Sequence, residues 1–134
     1  MRISNAASYA ISSLTYIAAS PSNQLVANST ICNAIAIPER FVLQVLRHLV
    51  NAGILTSARG VRGGYRLAKP AKDITLLAVI EAVDGPIEKH PKLPSEGLSK
   101  SSTNLADGTL SSIAADAANR LASVTLAELK LAKG

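Results

Sequence analysis

The sequence is poor in the side chains that most catalytic and cofactor chemistry requires. It has no tryptophan, one cysteine, two histidines and few aromatic rings: Tyr9, Tyr16, Phe41 and Tyr65. A single thiol, Cys32, excludes an intrachain disulfide framework and any zinc or iron–sulfur site built from several thiolates. Four scattered rings give no platform on which single-stranded bases could stack. No apolar run approaches the ~20 residues of a membrane span. The opening segment, from Arg2 to Ala18-Ala19-Ser20, is interrupted by Ser4, Asn5, Ser8, Ser12, Ser13 and Thr15 and does not make a secretory leader. A cytoplasmic protein is expected. No Ser/His/Asp set, paired-carboxylate pocket or nucleotide fingerprint emerges, so an enzyme is not expected. Acids are scarce where bases are dense. Residues 1–72 carry eight Lys/Arg against one acid, Glu39, whereas residues 73–134 carry six against eight. A basic first half joined to a near-neutral second half points to a polyanion-binding module attached to a module with another task.

What is present is an aliphatic chain of 134 residues, 48% hydrophobic, enough for one core built of Ala, Ile, Leu and Val. Ile3, Ala7, Ala10, Leu14 and Ile17 recur at helical spacing and predict a helix over roughly residues 3–19, ended by Pro21. Leu25-Val26 is at most a short strand. Asn28 reads as the N-cap of a brief helix through Ile31 to Ile35. Ile37-Pro38 opens another that runs to about Asn51 and stops at Gly53. Two helices joined by so short a connection form a helix-turn-helix candidate. On the second of them Phe41, Val42, Val45, Leu46 and Leu49 fall on one side. Arg40, Gln44, Arg47 and Asn51 fall together on the other, flanked by Leu43 and His48. A merely solvated face would look similar, but this one has no acid and carries side chains able to make bidentate contacts with guanine and adenine edges.

Ile54-Leu55-Thr56-Ser57-Ala58 and Tyr65-Arg66-Leu67-Ala68 are strand-like runs separated by Arg59-Gly60-Val61-Arg62-Gly63-Gly64, a hairpin pattern. A phosphate-cradling nucleotide loop is excluded because no Gly-Lys-Ser/Thr follows and no helix opens after the glycines. Helix-turn-helix followed by a basic hairpin is a winged helix, with Arg59, Arg62 and Arg66 joining the helix face as DNA-binding candidates. Thr75 caps a further helix through Val83, stopped by Asp84-Gly85-Pro86. Leu110, Ile113, Ala117, Leu121 and Val124 form a heptad-like stripe on a helix over about residues 107–123, after which Thr125 caps a short last helix. That long helix either packs back on its own domain or pairs with a mate, with small Ala114, Ala117 and Ala118 permitting close approach. The expected fold class is therefore mainly α with a small β-hairpin wing. Residues 1–86 form the winged helix-turn-helix, 87–106 a flexible loop that is a candidate effector region, and 107–134 the dimerisation helix and tail.

The stretch Ile37-Pro38-Glu39-Arg40-Phe41 through Gly53-Ile54-Leu55, and the wing pattern Arg59-Gly60-Val61-Arg62-Gly63-Gly64-Tyr65-Arg66-Leu67, resemble the Rrf-type bacterial regulators. That family of winged helix-turn-helix proteins includes the iron–sulfur assembly regulator IscR, the nitric-oxide sensor NsrR and the cysteine-metabolism repressor CymR. Met1-Arg2-Ile3-Ser4, Ile74-Thr75-Leu76 to Pro86, and Leu121 to Leu129 are similar too, so the resemblance spans nearly all of the chain outside residues 87–108. It implies a homodimeric transcription factor, usually a repressor, paired through the long helix and bound to an inverted-repeat operator in double-stranded DNA. Gln44 and Arg59 occupy positions that face DNA in relatives, whereas Arg40 and Arg47 come from the helical wheel alone.

The departures from that family are specific. Cluster-binding relatives carry three cysteines between the helix after the wing and the dimerisation helix; here that region has none, so no iron–sulfur cluster and no other cofactor is expected. Glu88 and His90 lie in the loop beside lysines and Pro91 and read as a solvated linker rather than a metal site. Ala6, Ala7 and Ser8 stand where relatives place basic residues on the first helix. Ala36 replaces a frequent glycine at the helix-turn-helix bend, where a left-handed backbone costs alanine on the order of 1 kcal/mol, so a different bend is expected. Leu43 replaces a polar base-reading residue and predicts a contact with a thymine methyl. Cys32 reads as a small buried hydrophobe rather than a thiol sensor. The alternative function is a winged-helix interaction module whose main partner is another protein. An unknown effector or partner protein fits either reading; a membrane fits neither.

Overall fold

The computed structural model describes residues 2–21, 23–87, 93–94 and 96–131. Helix α1 (Asn5–Ala19) starts where Ser4 turns its hydroxyl to accept the Ala7 N–H, while the same hydroxyl donates to Asp84. Its buried stripe is Ala7, Ala10, Leu14 and Ile17, as the spacing predicts, but Ile3 precedes the helix and stays 39% exposed. Helices α2 (Asn28–Ile35) and α3 (Glu39–Asn51) follow, joined by Ala36, Ile37 and Pro38. Asn28 is the first helical residue rather than the cap. Its side chain instead donates to Glu39 Oε1 at 3.0 Å, tying the start of α2 to the start of α3.

The bend departs from the expectation at Ala36, which adopts the left-handed conformation anyway (φ 54°, ψ 42°). The flanking Ile35 and Ile37 both pack on the core, and that apolar burial outweighs the local strain. Gly53 (φ 75°) ends the α3 turn, and the chain enters strands β1 (Leu55–Ala58) and β2 (Gly64–Leu67), antiparallel with Leu55 opposite Leu67 and Ala58 opposite Gly64. Val26 adds a single bridge to the hairpin, exchanging backbone hydrogen bonds of 2.8 and 2.9 Å with Tyr65. The tip-side end of β2 is therefore anchored to the segment before α2. A 3₁₀ turn (Ala71–Asp73) leads to α4 (Leu76–Asp84), capped by Thr75 Oγ1, which accepts the Ala78 N–H.

The long helix α5 (Lys100–Ala122) begins seven residues before its expected start near 107. Ser99 caps it by accepting the Ser102 N–H, and the Thr103 and Thr109 hydroxyls fold back on carbonyls four residues earlier. Polar residues that read as loop thus satisfy their hydroxyls within the helix itself. Part of the presumed loop, Glu88 and His90 included, lies outside the described residues. The final helix α6 (Leu126–Leu131) opens with a reciprocal capping box in which Thr125 N–H donates to Glu128 Oε2 at 2.7 Å and Glu128 N–H returns to Thr125 Oγ1.

The core is aliphatic, as a chain so short of rings requires. Leu14, Ile31, Leu46, Leu49, Leu55, Ile74 and Leu126 are fully buried among α1, α2, α3, β1, α4 and α6. Each such side chain contributes about 1.5–3 kcal/mol relative to exposure. Helix α1 is the hub, touching α2, α3, α4, α6 and β2, whereas α5 packs chiefly on α4.

Candidate nucleic-acid interface

The period of α3 sorts its side chains into two sides. Val42, Val45, Leu46 and Leu49 are buried, and Arg40, Leu43, Gln44, Arg47, His48 and Asn51 are exposed. Phe41, expected among the buried set, is instead 38% exposed at the helix start. The Arg40 guanidinium lies 4.6 Å from the centre of its ring, and Tyr9 stands 6.3 Å away on α1. This cation–π contact holds the arginine along the protein surface. Phe41 thus belongs to the exposed side of α3 as a support for Arg40, a role that a two-sided helical wheel does not register.

The hairpin projects beside this helix. Residues 58–62 are all exposed, and Val61 at the tip is fully so, between Arg59 and Arg62. Gly63 and Gly64 make the return possible, because a Cβ on Gly63 would collide with the Ala58 carbonyl and one on Gly64 with the Val26 carbonyl. Between α3 and the hairpin runs an open groove of about 800 Å³. Leu43, Arg47, Arg59 and Val61 line it, together with Asn28 and Ser29 at the start of α2. Its one acid, Glu39, is the group that accepts from Asn28. The α2 contribution has no signal in the local sequence pattern. Ala27 provides no side-chain cap there, so the first N–H groups of α2 stay open to an acceptor such as a phosphate oxygen.

Seven residues were expected to act together, and the fold does not treat them alike. Arg47 and Arg59 border the groove, Arg40, Gln44 and Asn51 share the exposed side of α3, and Arg62 stands at the wing tip. Arg66 is separate. It alternates with Tyr65 along β2 and lines a second depression that shares no residue with the groove.

Cys32, half-buried on α2, points its thiol at Asn28 Oδ1 (3.7 Å). Burial, and then the nearby Glu39 carboxylate, push its pKa above the ordinary thiol value. A thiol held protonated in this way is a poor nucleophile. The donor set does not fit an iron centre either. The sequence has one cysteine, and among the described residues no three His, Cys, Asp or Glu side chains converge.

On α5, Leu110 (43%) and Ile113 (60%) are exposed, Ala117 and Leu121 are half-buried, and Ala118 is the residue that packs inward. Leu105 is exposed as well (74%). The polar run at residues 100–104 before it hides this position from the apolar spacing. No helix of the described residues is long and apolar enough to cross a membrane.

Comparison with known proteins agrees with this architecture. The model of the Rrf2 family, described as an iron-dependent transcriptional regulator, matches residues 3–131. A Mycobacterium tuberculosis protein named as an HTH-type transcriptional regulator, Rv1287, is 33% identical over 87 residues, covering 65% of this chain and 54% of that protein. Protein aau3 of Rhizobium meliloti is 34% identical over 84 residues, again covering 54% of its length. The chain thus spans about half the length of these curated relatives. Among solved structures, CymR, the global cysteine regulator of B. subtilis, superposes with a TM-score of 0.82 at 25% identity, covering 100% of this chain and 99% of that one. T. potens IscR superposes with a TM-score of 0.76 at 23% identity, covering 99% and 89%. A winged helix, a bare cationic helix face and a family model matched along nearly the whole chain lead to one conclusion: this protein belongs to the Rrf2 family of transcriptional regulators, not to the enzymes.

Proposed function

We propose that the protein works in the cytoplasm as a homodimeric, sequence-specific binder of double-stranded DNA and represses transcription. In this reading α3 enters the major groove, where Gln44 and Arg47 meet base edges, Leu43 meets a thymine methyl and Arg40 meets the backbone. The wing enters the adjoining minor groove with Arg59 and Arg62. Asn51, near the end of α3, approaches the backbone. Arg66 is set apart from this surface. The mate is held by the Leu110, Ile113, Ala117 and Leu121 stripe of α5.

The single observation that carries the reading is the open groove between α3 and the hairpin, bordered by Arg47 and Arg59, with its one carboxylate already engaged by Asn28. A surface of this kind complements a phosphate polymer, and in this reading the helix arginine and the wing arginine reach different grooves of one duplex. Two copies related by a twofold axis read half-sites about one or two helical turns apart.

Selection of bound sequences from a random duplex pool is expected to return an inverted repeat, with affinity falling steeply as salt rises. Failure to retain any duplex at low salt sinks the proposal and leaves the winged helix as a module for binding another protein.

A further inference from the structure

The second depression shares no residue with the groove between α3 and the hairpin and has a volume of about 350 Å³. Three cations border it from two distant segments: Arg66 on β2 with Lys69 just beyond it, and Lys130 on α6. The carboxamides of Asn23 and Gln24 border it from the turn after α1, and no carboxylate does. Among the described residues none of the three cations has an ion-pair or hydrogen-bond partner. The C-terminal end of α1 opens on the same space and by itself would repel an anion. Its last carbonyls are already occupied, however. Ser20 N–H donates to Ile17 O and Ser20 Oγ to Tyr16 O, both at 3.1 Å, and Gln24 N–H donates to Pro21 O at 3.2 Å. The positive side chains therefore dominate the field in a concavity of ligand size.

We propose that this depression binds a small multivalent oxyanion, a phosphorylated or polycarboxylate metabolite, held by Arg66, Lys69 and Lys130 with Asn23 and Gln24 as neutral donors. Arg66 supplies a planar fork suited to a phosphate or carboxylate edge, and the two lysines supply mobile point charges. An occupant joins the wing to α6, which packs on α1. On the DNA-binding reading above, it therefore modulates duplex affinity, and by linkage duplex modulates its affinity. Binding itself needs no DNA, so its failure and the failure of that reading are told apart.

The test is thermal unfolding of the full chain with inorganic pyrophosphate or citrate, against chloride at equal ionic strength. A saturable rise in Tm of about 5 °C at tenfold excess over the dissociation constant is expected. The rise should vanish in the Arg66→Gln/Lys69→Gln double variant, whose Tm in chloride stays near that of the wild type. Lys130→Gln, on a different element, should weaken binding about tenfold. Backbone amide shifts on titration should centre on residues 23–24, 66–69 and 130. A non-saturable rise, a rise equal in all variants, or shifts centred on Arg47 and Arg59 overturns the proposal. Duplex DNA distinguishes the other source of phosphate. If neither anion binds saturably, yet Arg66→Gln lowers the salt slope of duplex binding by about one, the depression meets the DNA backbone and the free-metabolite assignment is wrong.

Discussion

Two residues show how far backbone conformation can be read from side-chain type. Ala36 holds a left-handed backbone (φ 54°) with its methyl exposed, so the methyl adds strain and no packing. Ala36→Gly is expected to raise stability by about 0.5 kcal/mol, after subtracting the extra freedom glycine has in the unfolded chain. Chemical denaturation checks this, with a higher midpoint and an unchanged slope. Gly64 is the reverse case. Its φ of 152° and the Val26 carbonyl beneath it leave no room for a side chain. Gly64→Ala should cost on the order of 3 kcal/mol and lower Tm by about 10 °C. The run of glycines was legible as a turn. That one of them must pass under Val26 was not, because the two are brought together by the β-bridge between Val26 and Tyr65 and not by any local pattern.

Elements were legible in proportion to their periodicity. Helix α3 was readable because its apolar and polar residues separate cleanly, and the same separation presents Arg47 outward. Arg47→Ala should cost about 1–3 kcal/mol of duplex affinity and relax the preference at one base position, measured by titrating a panel of single-base operator variants. Arg59→Ala, on the wing, should weaken all sequences more evenly and reduce the salt slope by about one. Equal base-preference profiles for the two variants would contradict the division of labour between helix and wing. The beginning of α5 was illegible for the opposite reason. Residues 100–104, Lys-Ser-Ser-Thr-Asn, have no apolar period, and their helicity rests on the Ser99 cap and on hydroxyls bonded within the helix.

At the scale of the whole molecule, α5 is the element that one chain leaves unfinished. It packs chiefly on α4 and leaves Leu105, Leu110 and Ile113 in solvent. Ile113→Glu should therefore leave the helical circular dichroism of the chain intact while halving the mass seen by light scattering. Duplex affinity should fall at the same time, since one half-site is then bound without its mate. A mass unchanged by this substitution would remove α5 from the dimer contact. Arg66 marks a second feature that only the assembled molecule has. A strand residue in a basic run joins a lysine on α6, more than sixty positions away, around a depression separate from the groove between α3 and the hairpin.

By itself the sequence determined the family, the order of the helices, the hairpin and the exposed polar side of α3. These depend on spacing of three, four or two residues, on capping side chains and on glycines, all of which act over one turn of chain. Only the tertiary structure decided that Ala36 would bear a glycine's conformation, that Phe41 would support Arg40 at the surface, and that Arg66 would turn away from the other arginines. Each of these outcomes is set by which distant segment packs against the residue, and free energy from burial in a shared core is large enough to override a local preference of about 1 kcal/mol.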